Sequence, residues 1–258
     1  MFRFMRQAYL SYKSLYSYMD PKIYILMMIV NPSLQLIYFS FMVKFAYGSS
    51  DISPWIIGNA FLLASSNCIF VVGSLVRSER NQGTLQYIVA APANNFKVFI
   101  ARSLFHLIDI LVRIIIGFVI GIVFFNFKIW ELNLSKLALT LLTGMLSGMG
   151  FGLLIGSISM ISTDVHLFLN TMEQILIVFT GALFPLSKLP VWLQWLPNCL
   201  PLTRSIKAAQ MLLVSNQAHF FTLIFEEILL AFFLIFSGYF MFEWMQFKAK
   251  KIGNLDLY

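Results

Sequence analysis

Three stretches of the chain run for more than twenty residues without a charged side chain: Ile23–Val43, Ile52–Val76 and Leu137–Thr163. A helix needs about 20 residues to cross ~30 Å of hydrocarbon, so each run is long enough to span a bilayer. A helix also satisfies its own backbone polar groups, which lipid cannot do. The composition points the same way. Of 258 residues, 59% are hydrophobic and 11% charged, against roughly 45–50% and 25% in soluble domains. Phenylalanine alone occupies 27 positions. A water-soluble globule of this size has too little interior to hide so much apolar surface. An ordinary cytosolic enzyme, a secreted disulfide scaffold and a disordered tail are thereby excluded.

Three further runs carry charges. Ile114–Phe127 is short alone and must extend backwards through Arg113 and Asp109 to about Ser103. Val165–Phe184 contains Glu173, and a last run at about Phe220–Phe242 has Glu226 and Glu227 near its start. The expected fold is an all-α integral membrane protein with six transmembrane helices in one domain over residues 1–258. Lys and Arg set its orientation. With the N-terminus inside, twelve of the 18 basic residues fall on the inner side and six on the outer. That balance places both termini in the cytoplasm of a multi-pass cell-membrane protein. The net charge of +7 then reads as topology signal and headgroup contact, not as a nucleic-acid surface. Cys68 lies inside an apolar run and Cys199 far from it, so neither a structural disulfide nor a Cys-based metal site is expected. No small-residue cleavage site follows the first apolar run, so a removable signal peptide is not expected either.

The pieces between the runs differ in character. Residues 1–20 are basic and aromatic, with Phe2, Phe4, Tyr9 and Tyr12, and read as a helix lying in the cytoplasmic interface. Residues 77–97 form a polar cytoplasmic segment of helical composition. Residues 185–218 carry Pro185, Pro190, Pro197 and Pro201 with Trp192 and Trp195. This stretch is too broken to span and too apolar for a free loop, so short re-entrant helices are expected at the outer side, before the last span.

No catalytic or metal-binding pattern stands out. There is no GxxxxGK[ST] phosphate loop, no GxSxG turn and no HExxH helix, and His106, His166 and His219 lack metal spacing. An intramembrane enzyme is the rival class, and it would need a polar cluster at the interface. Two motifs carry more. Glu79–Pro92 reads ERNQGTLQYIVAAP, and Gly181–Gln210 reads GALFPLSKLPVWLQWLPNCLPLTRSIKAAQ. Together they resemble the permease subunits of type-2 ABC exporters, which carry E-R-x-x-G-T-L after the second span and F-P-x-x-x-L-P-x-W-L-Q … P-L after the fifth. The resemblance implies a half-size permease that pairs with a second permease copy, identical or not, and rests on two separate ATP-binding subunits. ATP and its Mg²⁺ would sit on those partners, with no cofactor on this chain. By position, Glu79, Arg80, Gly83, Thr84, Leu85 and Ile88 become the coupling residues. Leu85 and Ile88, spaced i,i+3, would fill a groove on the ATPase. Gly83 would either admit a partner backbone or end a turn. The stretch Asp20–Pro32 lacks the G-x-x-W element of capsule and O-antigen exporters. The resemblance therefore implies an amphipathic substrate (drug, peptide or lipid), with lipid-linked polysaccharide or teichoic acid as the alternative.

Several intramembrane features remain. Gly144, Gly148, Gly152 and Gly156 recur every four residues and permit close helix approach, either as a sliding gate or as a static contact. Arg102, His106, Asp109 and Arg113 share one face of the third helix, with Asp109 and Arg113 spaced to pair. Such charges line a cavity, receive force from the coupling segment, or snorkel at the inner end. Glu173 needs a partner in the membrane, Arg113 being one candidate. Asn31 and Gln35 add polarity beside Pro32, which is expected to kink the first span.

Overall fold

A computed structural model describes residues 20–48, 51–90, 95–160, 165–214 and 218–252, and all the regular structure among them is helical. In chain order the helices are α1 (Lys22–Ala46), α2 (Ser53–Asn81), α3 (Leu85–Ala90), α4 (Asn95–Phe125), α5 (Leu134–Ile158), α6 (Val165–Phe179), α7 (Thr203–Gln210) and α8 (Phe220–Ile252). The expected interfacial helix at residues 1–20 lies outside the described residues, except that Asp20 caps α1 by accepting the Lys22 N–H at 2.9 Å.

Among the described residues, five helices are long and apolar enough to cross a membrane: α1, α2, α4, α5 and α8. The sixth, α6, has 15 residues and is about 22 Å long at 1.5 Å per residue, short of the ~30 Å hydrocarbon core. It stops five residues before the expected Phe184. Gly181 takes the left-handed φ of +77° and turns the chain away, and Pro185 follows. The third span begins earlier than expected, at Asn95, so its charged face is part of one 31-residue helix. Beyond α6 the chain makes 3-10 turns at Leu186–Lys188, Val191–Leu193 and Leu196–Cys199. These are the short broken helices anticipated there, and Trp192 and Trp195 are exposed on them.

The central helix is α2. Every residue from Ile56 to Asn67 is buried, because α1, α4, α5, α6 and α7 all pack around it. α1 and α2 each contain a π turn, at Leu26–Val30 and Cys68–Val72. The first immediately precedes Pro32, whose ring would collide with a carbonyl in a regular α turn; the wider π turn accommodates it. The second faces the glycine ladder of α5. A Cβ at Gly148 would lie 2.8 Å from Cys68 Sγ, and one at Gly156 would lie 2.9 Å from the Gly73 carbonyl oxygen. A Cβ at Gly152 would collide with the Cys68 carbonyl, and Gly144 faces Phe61 and Ser205. The ladder is thus an intramolecular contact in which two backbones touch.

Candidate functional site

The E-R-x-x-G-T motif folds as the cap that ends α2. The Gly83 N–H donates to the Arg80 carbonyl at 3.0 Å, and the Thr84 N–H donates to the Glu79 carbonyl at 2.9 Å. These are the two bonds of a Schellman motif, with Gly83 in the left-handed position at φ +66°. Apart from its chain neighbours, no heavy atom of the described residues lies within 4 Å of where a Cβ at Gly83 would stand. Within this chain the glycine serves the backbone hand of the turn.

The Glu79 side chain ties this cap to its surroundings. One carboxylate oxygen accepts the Thr84 hydroxyl, and the other pairs with the Arg102 guanidinium on α4. Arg80 reaches the Ser159 carbonyl at the end of α5, at 3.4 Å. The turn between α2 and α3 is therefore bonded to both α4 and α5, so a push on it reaches two spans.

α3 presents a different face from the expected one. Leu85 and Val89 are buried in a cluster with Leu75, Val76, Phe96, Phe99 and Phe242, and Ile88 packs half-buried against it. The cause is the cap itself, which folds α3 back so that its apolar side completes the chain's own core. Leu85 and Ile88 are therefore not the face offered outward. That face consists of Gln86, Tyr87 and Ala90, with Tyr87 71% exposed.

On α4 the expected polar row divides. Arg102 leaves it for Glu79, while His106 Nδ1 and Asp109 Oδ2 lie 3.1 Å apart, both buried. Arg113 is half-buried one turn further along. Glu173 meets Ser66 of α2, which donates its hydroxyl to the carboxylate. On α1, Asn31 is exposed and Gln35 half-buried.

α6 carries a feature that the sequence reading missed. His166, Asn170 and Gln174, spaced four apart, form an exposed polar stripe with Thr171 beside it. The exposed faces of α4 and α8 are instead apolar, with Ile108, Ile115 and Val119 on one and Phe225, Phe232 and Phe236 on the other. The i,i+4 recurrence of polar residues on an apolar helix was the signal available. Polar side chains at membrane depth face protein or water, not lipid.

Comparison with known proteins agrees with the motifs. The profile of the ABC-2 type transporter family matches residues 8–214. The chain is 28% identical over 181 residues to ABC transporter G family member 20 of Dictyostelium discoideum, covering 70% of this chain and 24% of that protein. It is 29% identical over 147 residues to the probable multidrug ABC transporter permease YbhR of Escherichia coli K12, covering 56% of this chain and 39% of that protein. The matched stretches thus span less than half the length of either relative.

Proposed function

The chain belongs to the ABC-2 type transporter family, and from that premise we propose that it is the membrane-spanning permease subunit of an ATP-driven exporter. It would sit in the cell membrane with both termini cytoplasmic, paired with a second permease copy and resting on two ATP-binding subunits. ATP and Mg²⁺ would bind to those subunits, and this chain would contribute transport without catalysis. The substrate would be amphipathic, a drug, peptide or lipid; the multidrug designation of one relative supports that choice.

The observation that carries the reading is the polar stripe of α6. His166, Asn170 and Gln174 lie exposed on a helix otherwise built for lipid, and Glu173 and Ser66 stand beside them. A wall shared by two permease copies gives these groups water and substrate to meet. The exposed face of α3 would meet the ATPase, and its movement would pass through Glu79 to Arg102 and α4, and through Arg80 to α5. The ATPase-driven step is then a population shift between an inward-open and an outward-open arrangement of the pair.

The test uses the chain assembled with its ATP-binding subunit in inverted vesicles, with transport of an amphipathic dye as readout. Asn170→Leu and Gln174→Leu should each cut transport severalfold while the ATPase still co-purifies. Undiminished transport in both variants would remove α6 from the path. ATP binding by the purified single chain would contradict the division of labour.

A further inference from the structure

The connection between α6 and α8 is held to the bundle by a carboxylate that the pathway reading does not use. Glu227 stands two turns into α8 and is fully buried. Its Oε1 accepts the Leu202 N–H at 2.7 Å and also the Ser147 hydroxyl of α5. The Arg204 backbone N–H and the Arg204 charge also act on this carboxylate. One turn away, the Thr143 and Ser205 hydroxyls lie 3.2 Å apart and join α5 to α7 again. A single oxygen thus links α5, α8 and the residue just before α7.

Leu202 is itself unusual. It has φ +67°, a left-handed conformation that residues other than glycine, Asn and Asp avoid. Such a conformation persists only where the surroundings over-determine it. Here they do. Its N–H is taken by Glu227, its side chain is 1% exposed, and that side chain packs beside Gly148 of the ladder. The neighbouring Glu226 grips the rim of the same turn. Arg204 Nε donates to Glu226 Oε2 at 2.9 Å, and the Arg204 guanidinium also donates to the Asn198 carbonyl at 2.8 Å.

We propose that Glu227 is the positioning residue that holds the 185–210 connection closed against α5 and α8, and that this connection opens by releasing the Leu202 bond during transport. The opening rests on the permease reading; the holding does not. The Leu202 and Ser147 donors are neutral, so the site requires an acceptor oxygen at the right reach. Glutamine supplies that oxygen. Aspartate, one methylene shorter, does not.

The experiment follows labelling by a membrane-permeant maleimide in a Cys68→Ala, Cys199→Ser background. Leu200→Cys reports the connection, and Leu132→Cys reports a buried site on the α4–α5 link; both leucines are buried in the wild type. Glu227→Ala and Glu227→Asp should raise labelling at Leu200→Cys at least tenfold and leave Leu132→Cys unchanged. Glu227→Gln should keep Leu200→Cys protected, a rescue that loss of charge alone would not give. Protection in Glu227→Ala, or labelling of Glu227→Gln as fast as of Glu227→Ala, overturns the proposal. If Glu227→Ala exposes both sites, Glu227→Asp decides: selective labelling at Leu200→Cys sustains the holding role, and unchanged protection overturns it. In a transporting complex, ATP should accelerate labelling at Leu200→Cys. Transport without that acceleration overturns the opening, whereas a complex that moves nothing under any condition counts against the permease reading instead.

Discussion

Two turns of the chain solve one problem in two ways. At each a left-handed residue does the turning: Gly83 at φ +66° after α2, and Leu202 at φ +67° just before α7. At each, a glutamate holds the turn. Glu79 binds its own cap and pairs directly with a guanidinium, while Glu227 is fully buried and accepts directly from the Leu202 N–H and the Ser147 hydroxyl. The turning residues differ because their surroundings differ. Gly83 has open space around it, so a side chain there would gain nothing and glycine is the least strained choice. Leu202 fills a pocket against the glycine ladder, and burying a leucine side chain is worth about 1.5–3 kcal/mol, enough to offset a left-handed penalty of about 1–2 kcal/mol. Both motifs therefore contain a turn held by a glutamate.

The largest effect that tests this contrast is at Leu202. Leu202→Ala keeps the left-handed strain and loses the burial, so it should destabilise by about 3 kcal/mol. Leu202→Gly loses the same burial but relieves the strain, so it should be about 1 kcal/mol more stable than Leu202→Ala. That order reverses the usual one for alanine and glycine in a helical protein. Unfolding in lipid–detergent micelles measures both, and a glycine variant less stable than the alanine variant would break the account of Leu202.

Next in size is the ionic end. Arg102→Ala leaves the half-buried Glu79 carboxylate without its cation and should cost about 2 kcal/mol. Glu79→Gln together with Arg102→Ala should recover part of that loss, since no charge is then stranded. A double variant as unstable as the single one would show that Arg102 acts through its packing over Phe99 rather than through the pair. Gly83→Ala comes third, at about 1 kcal/mol. Gly83→Leu should cost no more than Gly83→Ala, because the space around it is open, and a much larger loss would contradict that openness.

How much of this was legible in the sequence follows from which forces act locally. The long apolar runs announced their helices because lipid and backbone hydrogen bonding leave no alternative structure. The broken region after α6 was equally plain from its prolines. The shortness of α6 was less plain, since Thr180 to Phe184 are apolar enough to continue a span and only the turn at Gly181 stops it. The ladder's spacing was readable, but its partner, the π turn of α2, was not, because a stripe of glycines does not say which backbone approaches it. Glu226–Glu227 looked like a charged helix start. Which of the two was buried depended on where the α6–α8 connection docks, a long-range contact with no local signal. The inward face of α3 failed for the same reason. Six residues with Leu85, Ile88 and Val89 along one side fit a partner's groove or the chain's own core equally well, and the Gly83 turn sets the face that packs inward here.

The smallest effect on the chain itself is at Tyr87, and it separates the two faces of α3. Tyr87 is 71% exposed and touches little of its own chain, so Tyr87→Ser should change stability by less than about 0.5 kcal/mol. Leu85→Ser, one turn-face away and buried, should cost about 3 kcal/mol by the same logic that governs other core truncations. The two variants exchange places when the readout is association with the ATP-binding subunit. An exposed aromatic on a short helix is the kind of residue that anchors an interface, where truncation costs about 2 kcal/mol or more, roughly thirtyfold in affinity. Tyr87→Ser should therefore weaken co-purification at unchanged thermal stability. Leu85→Ser should lower thermal stability and weaken association only in proportion to the unfolded fraction. If Tyr87→Ser binds the partner as tightly as the wild type while a stabilised Leu85 variant does not, the apolar face must turn outward in the complex, and the folded-back α3 described here is only its resting position.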